Sequence, residues 1–119
     1  MVKKVLIYAT NGPDNPEKAV LPFITANAAF VHDAEVYVCL AGPGVWLAKK
    51  GVPEHVLCCK WRLDELIKNL LESGGKILVC SPCIQEREIK EEDLIDCAEV
   101  TAAVTLLQLA SECDVVLTF

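Results

Sequence analysis

The stretch VLIYATNGPDNPEKAV, residues 5–20, decides the fold. It opens with an apolar run that lacks polar alternation, which is typical of a strand buried on both faces of a parallel sheet. Asn11-Gly12-Pro13-Asp14 follows as a turn, Asn15 has the side chain of a helix N-cap, and Pro16 suits the first helical position. The stretch therefore predicts a strand over residues 4–10, a turn and then a helix.

The same order of apolar run and helical pattern recurs along the chain, and this alternation is the mark of βαβ units. No linker, repeat or low-complexity tract divides the 119 residues. The sequence predicts an α/β fold, as a single domain over residues 1–119. We expect a three-layer α/β/α sandwich around a mostly parallel sheet of four to five strands, Rossmann- or flavodoxin-like. Further strands are expected over 35–40, 76–80 and 114–119, and helices over 45–50, 63–73 and 101–112.

Charge and hydropathy exclude several classes of function. The net charge of −6 would repel a phosphate backbone, so nucleic acid is not an expected partner. No apolar stretch approaches the roughly 20 residues of a transmembrane helix, so no membrane span is expected. The first apolar run stops at Asn11-Gly12, too early for the core of an export signal, which predicts a cytoplasmic protein.

The apolar content is high for a small chain. Residues of the apolar set make up 53%, and the mean hydropathy is +0.36. The alternative is a core rich in Ala and Val beneath an ordinary surface. We expect instead that copies of the chain cover part of the apolar surface, and we predict a homo-oligomer, as a trimer or hexamer.

Seven cysteines are the chain's most reactive side chains. In a protein that is not exported they are expected to be reduced, and the odd count argues against a complete set of internal disulfides. Cys39, Cys97 and Cys113 are expected to be small buried hydrophobes. His32 and His55 are expected to be structural or on the surface.

Three turns are expected at the carboxyl edge of the sheet, where open parallel sheets bind ligands. Only the third, Cys80-Ser81-Pro82-Cys83, brings a reactive side chain. Cys80 ends an apolar strand, where backbone N–H groups and Arg87 favour its thiolate, although the following acidic residues oppose this. The candidate catalytic residues are Cys80 and Cys83, and the candidate substrate-binding residues are Asn11, Gly12, Gly42, Gly44 and Arg87.

The Cys80-x-x-Cys83 motif by itself supports three interpretations. It can be a redox dithiol between a strand and a helix, or half of a metal site completed by Cys58-Cys59 or His55. It can also be one working thiol, Cys80, with Cys83 beside it. Adjacent cysteines are poor structural zinc ligands and no second CxxC exists, so no metal and no cofactor is expected.

An ordered set of short segments spans nearly the whole chain. The segments are residues 5–8, 11–13, 16–19, 35–38, 42–45, 77–80 and 113–119. In this order and at these separations they resemble the DsrE/DsrF-like family, which includes TusD-type sulfur-relay proteins and small archaeal and bacterial relatives. The chain departs from the relay branch at Pro82-Cys83, and at Glu88 where a glycine is usual.

The resemblance implies a small α/β fold that assembles as dimers, trimers or hexamers. In the relay branch a cysteine at the end of the third strand accepts sulfur as a persulfide, and Cys80 matches that position. The leading hypothesis is thus an intracellular sulfur carrier that exchanges sulfur with donor and acceptor proteins through Cys80. The alternatives are a redox or metal-binding CxxC protein and a non-catalytic oligomeric binding module. Whether the protein is a catalyst stays open at this point.

Overall fold

The computed structural model describes residues 3–119. Met1 and Val2, part of the amino-terminal segment weighed above as an export signal, lie outside the described residues. The strands are β1 (Lys4–Ala9), β2 (Glu35–Leu40), β3 (Leu57–Cys58), β4 (Trp61–Arg62), β5 (Lys76–Cys80), β6 (Ala98–Thr101) and β7 (Val115–Thr118). The α-helices are α1 (Pro16–Ala29), α2 (Leu63–Glu72), α3 (Ser81–Glu86) and α4 (Ala103–Glu112).

Five strands form one sheet in the order β6-β5-β2-β1-β7, and all of their pairings are parallel. The remaining two, β3 and β4, pair antiparallel as a short hairpin. The predicted α/β class, with a parallel sheet between layers of helices, is confirmed. The four predicted strands all belong to this sheet, which places the ends of β1, β2 and β5 along one edge.

Helix α1 begins as its sequence predicts. The Asn15 side chain accepts a hydrogen bond from Lys18 N at 3.3 Å, and Pro16 occupies the first turn, where its missing N–H costs nothing. The helix continues through Pro22 to Ala29 without a break. It connects β1 to β2 and, together with α2, covers one face of the sheet.

The two faces of the sheet are covered unequally. On the α1 and α2 face, side chains such as Phe23, Leu63 and Leu70 are completely buried. On the opposite face, Leu6, Cys39 and Leu78 pack beneath α4, which has no fully buried residue of its own. The second face is therefore covered by a thin layer, and apolar residues of α4 and β7 on this face are exposed to solvent.

Several sequence expectations need correction. Strand β6 was not predicted. It has four residues, too few for a periodic hydrophobic pattern, and it follows Cys97, whose backbone φ lies in the left-handed region. The helix expected over 45–50 is instead a 3-10 segment, Gly42–Ala48. Cys97 is exposed and Cys113 only half-buried, so of the three cysteines expected in the core Cys39 alone is fully buried. His32 and His55 lie on the surface as expected.

Between residues 3 and 119, the helices are all too short or too polar to cross a lipid bilayer.

Candidate thiol site

The site begins where β5 ends. Cys80 is the last residue of β5 and lies opposite Thr101 in β6. Helix α3 starts at once with Ser81 and Pro82, and its first turn brings Cys83 back over the strand end. The Cys83 thiol donates to Cys80 Sγ at 3.0 Å, which is longer than a disulfide bond of about 2.05 Å. The pair is a half-buried dithiol.

Two further predicted residues reach Cys83. Gly42, in the turn after β2, donates its backbone N–H to Cys83 Sγ at 3.2 Å. Arg87 Nη1 donates to the backbone oxygen of Cys83 at 3.1 Å and so fixes the carboxyl end of α3. The structure therefore brings Cys80, Cys83, Gly42 and Arg87 together.

Gly12 and Gly44 allow close contact between the turns that follow β1 and β2. A Cβ atom on Gly12 would lie 2.7 Å from Pro43 O, and one on Gly44 would lie 2.5 Å from Ala9 O. Both distances are below any real contact, so a side chain at either position would push the turns apart. Asn11 is half-buried at the same edge, and the hydrogen bonds of residues 3–119 do not join its side chain to the thiols.

The electrostatics of Cys80 differ from the sequence expectation of a favoured thiolate. Partial burial is the largest effect and raises the pKa of the Cys80 thiol, and the hydrogen bond with the Cys83 thiol acts in the same direction. The Cys83 backbone N–H and the Arg87 charge lower this pKa, but they do not compensate. The N–H groups and the cation are present as expected; desolvation outweighs them.

Cys39 and Tyr8 belong to the same surroundings, and the sequence analysis did not place them there. They are direct neighbours in the β1–β2 register and share the face beneath α4. Burial raises the pKa of Cys39 to about 12, with the nearby Cys80 and Cys83 adding to the effect. Burial is also the main cause that raises the pKa of Tyr8, which stays a neutral hydroxyl. The order and register of β1 and β2, which the sequence does not give, bring these two residues together.

A metal site that Cys80 and Cys83 share with Cys58-Cys59 or His55 finds no support among residues 3–119, where no group of three or more Cys, His, Asp or Glu side chains could hold an ion. Cys58 and Cys59 lie in the β3–β4 hairpin, and they do not complete a cluster with Cys80 and Cys83. What the site offers is a pair of close sulfurs, one of which accepts a backbone hydrogen bond.

The family model for "DsrE/DsrF-like family" matches residues 3–119, almost the whole chain. The chain belongs to the DsrE/DsrF-like family. An uncharacterized protein of Methanocaldococcus jannaschii, MJ0989, is 34% identical over 98% of this chain and 99% of its own length. Another, MK0008 of Methanopyrus kandleri, is 29% identical over 97% of this chain and 93% of its own.

The fold of this DsrE/DsrF-like chain is also that of solved structures. The ychN protein from E. coli superposes with a TM-score of 0.85 at 23% identity, over 98% of this chain and 99% of the other. MTH1491 from Methanobacterium thermoautotrophicum, titled a protein of unknown function, gives a TM-score of 0.75 at 15% identity, with 98% and 99% covered. At these identities the likeness establishes the fold alone.

Proposed function

We propose that this protein is a sulfur carrier that holds persulfide sulfur on Cys80. The observation that carries the proposal is the position of Cys80 at the open carboxyl edge of the sheet, with a second sulfur 3.0 Å away. Membership of the DsrE/DsrF-like family, which is associated with sulfur relay, supports the same function. The donor and acceptor would be other proteins bearing reactive thiols.

The transfer consists of two exchanges at the outer sulfur atom. The Cys80 thiolate attacks the terminal sulfur of a donor persulfide, the donor's S–S bond breaks, and the donor leaves as a thiolate. Cys80 then carries the sulfur as Cys–S–SH, a reversible modification of an accessible thiol. An acceptor thiolate attacks that outer sulfur in turn, takes it as a new persulfide and releases the Cys80 thiolate.

The surroundings of Cys80 bear on transfer in two opposite ways. Because its pKa is raised by burial, the free thiol rests protonated at neutral pH and reacts slowly with bulk oxidants. The Gly42 N–H at 3.2 Å from Cys83 Sγ is a fixed donor that can stabilise negative charge developing on the sulfur pair. Arg87 adds a positive charge on the same side.

Incubation with a persulfide donor followed by mass spectrometry tests the proposal. We expect an adduct of about 32 Da, the mass of one sulfur atom, on the wild-type chain. Cys80→Ser should abolish the adduct, and Cys83→Ser should keep it and lengthen its lifetime. Cys97→Ser, which removes an exposed thiol, is the matched control and should behave as the wild type. An adduct that survives Cys80→Ser but not Cys83→Ser would reverse the roles of the two thiols.

A second function, a redox dithiol, is favoured by the short distance between the two sulfurs. Attack of the Cys83 thiolate on the inner sulfur of the Cys80 persulfide would form the Cys80–Cys83 disulfide and expel sulfide as HS⁻. A dithiol reductant would then have to restore the thiols. Loss of about 2 Da from the unmodified chain after exposure to a disulfide oxidant, with no sulfur adduct from any donor, would favour this function.

Assembly is part of the proposal, because a carrier with an open apolar face has a surface for copies of itself. Val104 and Leu107 on α4 are 81% and 71% exposed, and Val116 on β7 is 47% exposed. A groove of about 330 Å³ between α4 and the sheet has no charged residue in its lining. We propose a trimer or hexamer through this face, in a cytoplasmic protein. Light scattering that finds only a 13.0 kDa particle would contradict the assembly.

A further inference from the structure

The β3–β4 hairpin carries a second pair of thiols, which the sulfur-carrier proposal does not use. Cys58 at the end of β3 pairs with Trp61 of β4, so the turn between the strands consists of Cys59 and Lys60. Cys58 Sγ and Cys59 Sγ lie 4.0 Å apart. Both cysteines are free thiols.

The backbone of the turn explains how adjacent residues bring their sulfurs so close. In an extended strand, neighbouring side chains point to opposite faces, which separates adjacent thiols. Cys59 leaves the strand with a φ of 57°, in the left-handed region that residues other than Gly, Asn and Asp seldom adopt. This change of direction places its thiol on the same side as that of Cys58.

One thiol of the pair is held against the core, and the other is exposed to solvent. Cys58 is half-buried and packs against the main core, whereas Cys59 is exposed. A small ion can therefore reach the two sulfurs from solvent, on the side of Cys59.

The number of ligands selects the kind of ion. Zinc in structural sites takes four protein ligands, and residues 3–119 offer no cluster of three or more metal-binding side chains. Two thiolates without further ligands suit a soft monovalent ion, and Cu(I) is the biological ion with this preference for sulfur. We propose that Cys58 and Cys59 form a site for one Cu(I) ion held by two thiolates.

Binding exchanges protons for the ion and changes no oxidation state. Each thiol loses its proton to solvent, so that one Cu(I) and two thiols give a dithiolate complex of charge −1 and two protons. Because a cysteine thiol is ordinarily protonated at neutral pH, the ion must displace these protons. Such a site differs from the sequence expectation of no metal, which rested on the poor fit of adjacent cysteines to zinc.

Anaerobic titration with Cu(I) against a chromophoric Cu(I) chelator tests the site. The background is Cys80→Ser/Cys83→Ser, which removes the other close pair and makes the result independent of the sulfur-carrier proposal. We expect this variant to bind one Cu(I) per chain. Adding Cys58→Ser and Cys59→Ser should weaken binding at least a hundredfold, whereas adding Cys97→Ser, the control at an exposed thiol, should not change it.

A second variant separates loss of the site from loss of the hairpin. Cys59→Gly removes one sulfur and suits the positive φ of the turn, so it should weaken Cu(I) binding as strongly while far-UV circular dichroism stays that of the wild type. Failure of the background variant to bind Cu(I), or binding that survives removal of both hairpin thiols, would overturn the proposal. Zn²⁺ binding as tight as Cu(I) binding would also overturn it.

Discussion

The two faces of the sheet have different tasks, although the same strands form both. On the face covered by α1 and α2, residues such as Phe23 and Leu70 are completely buried. On the face beneath α4 the buried cluster consists of Leu6, Cys39 and Leu78, and α4 itself leaves Val104 and Leu107 in solvent. One face supplies most of the hydrophobic stability of the chain, which leaves the other free for contacts.

This difference predicts the largest effect for a truncation on the closed face. Phe23→Ala removes a fully buried ring at the centre of α1 and should lower the free energy of unfolding by about 3–5 kcal/mol. Leu107→Ala on α4, where the residue is 71% exposed, is the comparison and should cost the isolated chain about 0.5 kcal/mol or less. Urea unfolding measures both, and similar losses for the two variants would contradict the division between the faces.

A pH series separates the one deeply buried thiol of the open face from its neighbours. Native Cys39 keeps its proton up to pH about 12, whereas an unfolded cysteine loses it near about 8.5. Its contribution to stability is therefore full below about pH 8.5 and is lost progressively as the pH rises toward 12. The wild type should lose about 1.4 kcal/mol per pH unit more than Cys39→Ala over this range.

Unfolding curves between pH 8 and 11 give these slopes, with Cys97→Ala as the control for an exposed thiol. Equal slopes of the unfolding free energy against pH for the wild type and Cys39→Ala would mean that α4 does not shield Cys39 from solvent, contrary to the structure.

A charge placed on the open face should disrupt the assembly of the protein and have little effect on its folding. Leu107→Lys places an ammonium on the uncharged surface and should reduce the proposed oligomer to a 13.0 kDa particle with unchanged circular dichroism. Gln108→Lys, at the next position of the same helix and also exposed, should leave the particle mass unchanged. Light scattering measures the particle mass of both variants. An oligomer that persists in Leu107→Lys would show that the interface lies on another surface.

The smallest effect is expected at the carboxyl edge of the sheet, on the reactivity of Cys80. The Arg87 charge lowers the pKa of this thiol, against the larger effect of burial. Arg87→Gln should therefore shift the pH midpoint of Cys80 alkylation upward, and Lys90→Gln, an exposed cation three residues on, should not. Peptide-resolved iodoacetamide labelling follows the midpoint, and a downward shift would refute the role of Arg87.

The parallel sheet was readable from the sequence because its central strands are apolar on both faces. The turn at Asn15 and Pro16 was equally clear, since N-caps and first-turn prolines act through local backbone chemistry. The thiol pair was predictable for a similar reason, as Cys80 and Cys83 are one helical turn apart. In each case the information lies within a few residues.

What the sequence could not supply depends on the order of strands and on burial. The neighbourhood of Tyr8 and Cys39 follows from β1 lying beside β2. The raised pKa of Cys80 reflects desolvation, which sums over the whole surroundings and cannot be counted from nearby charges. Glu88, the position where the resemblance leads us to expect glycine, adopts a φ of 56°, a backbone conformation that suits glycine better than glutamate.

The contact between the first two turns determines how mutations should be tolerated around the site. Gly12 and Gly44 have no side chain to take part in the chemistry, yet each is closed in by a backbone oxygen within 2.7 Å of where a side chain would begin. A bulkier residue at either position would displace the turn that carries the Gly42 N–H away from Cys83. In a saturation-mutagenesis screen for sulfur transfer, both positions should reject even alanine, as if they were reactive residues themselves.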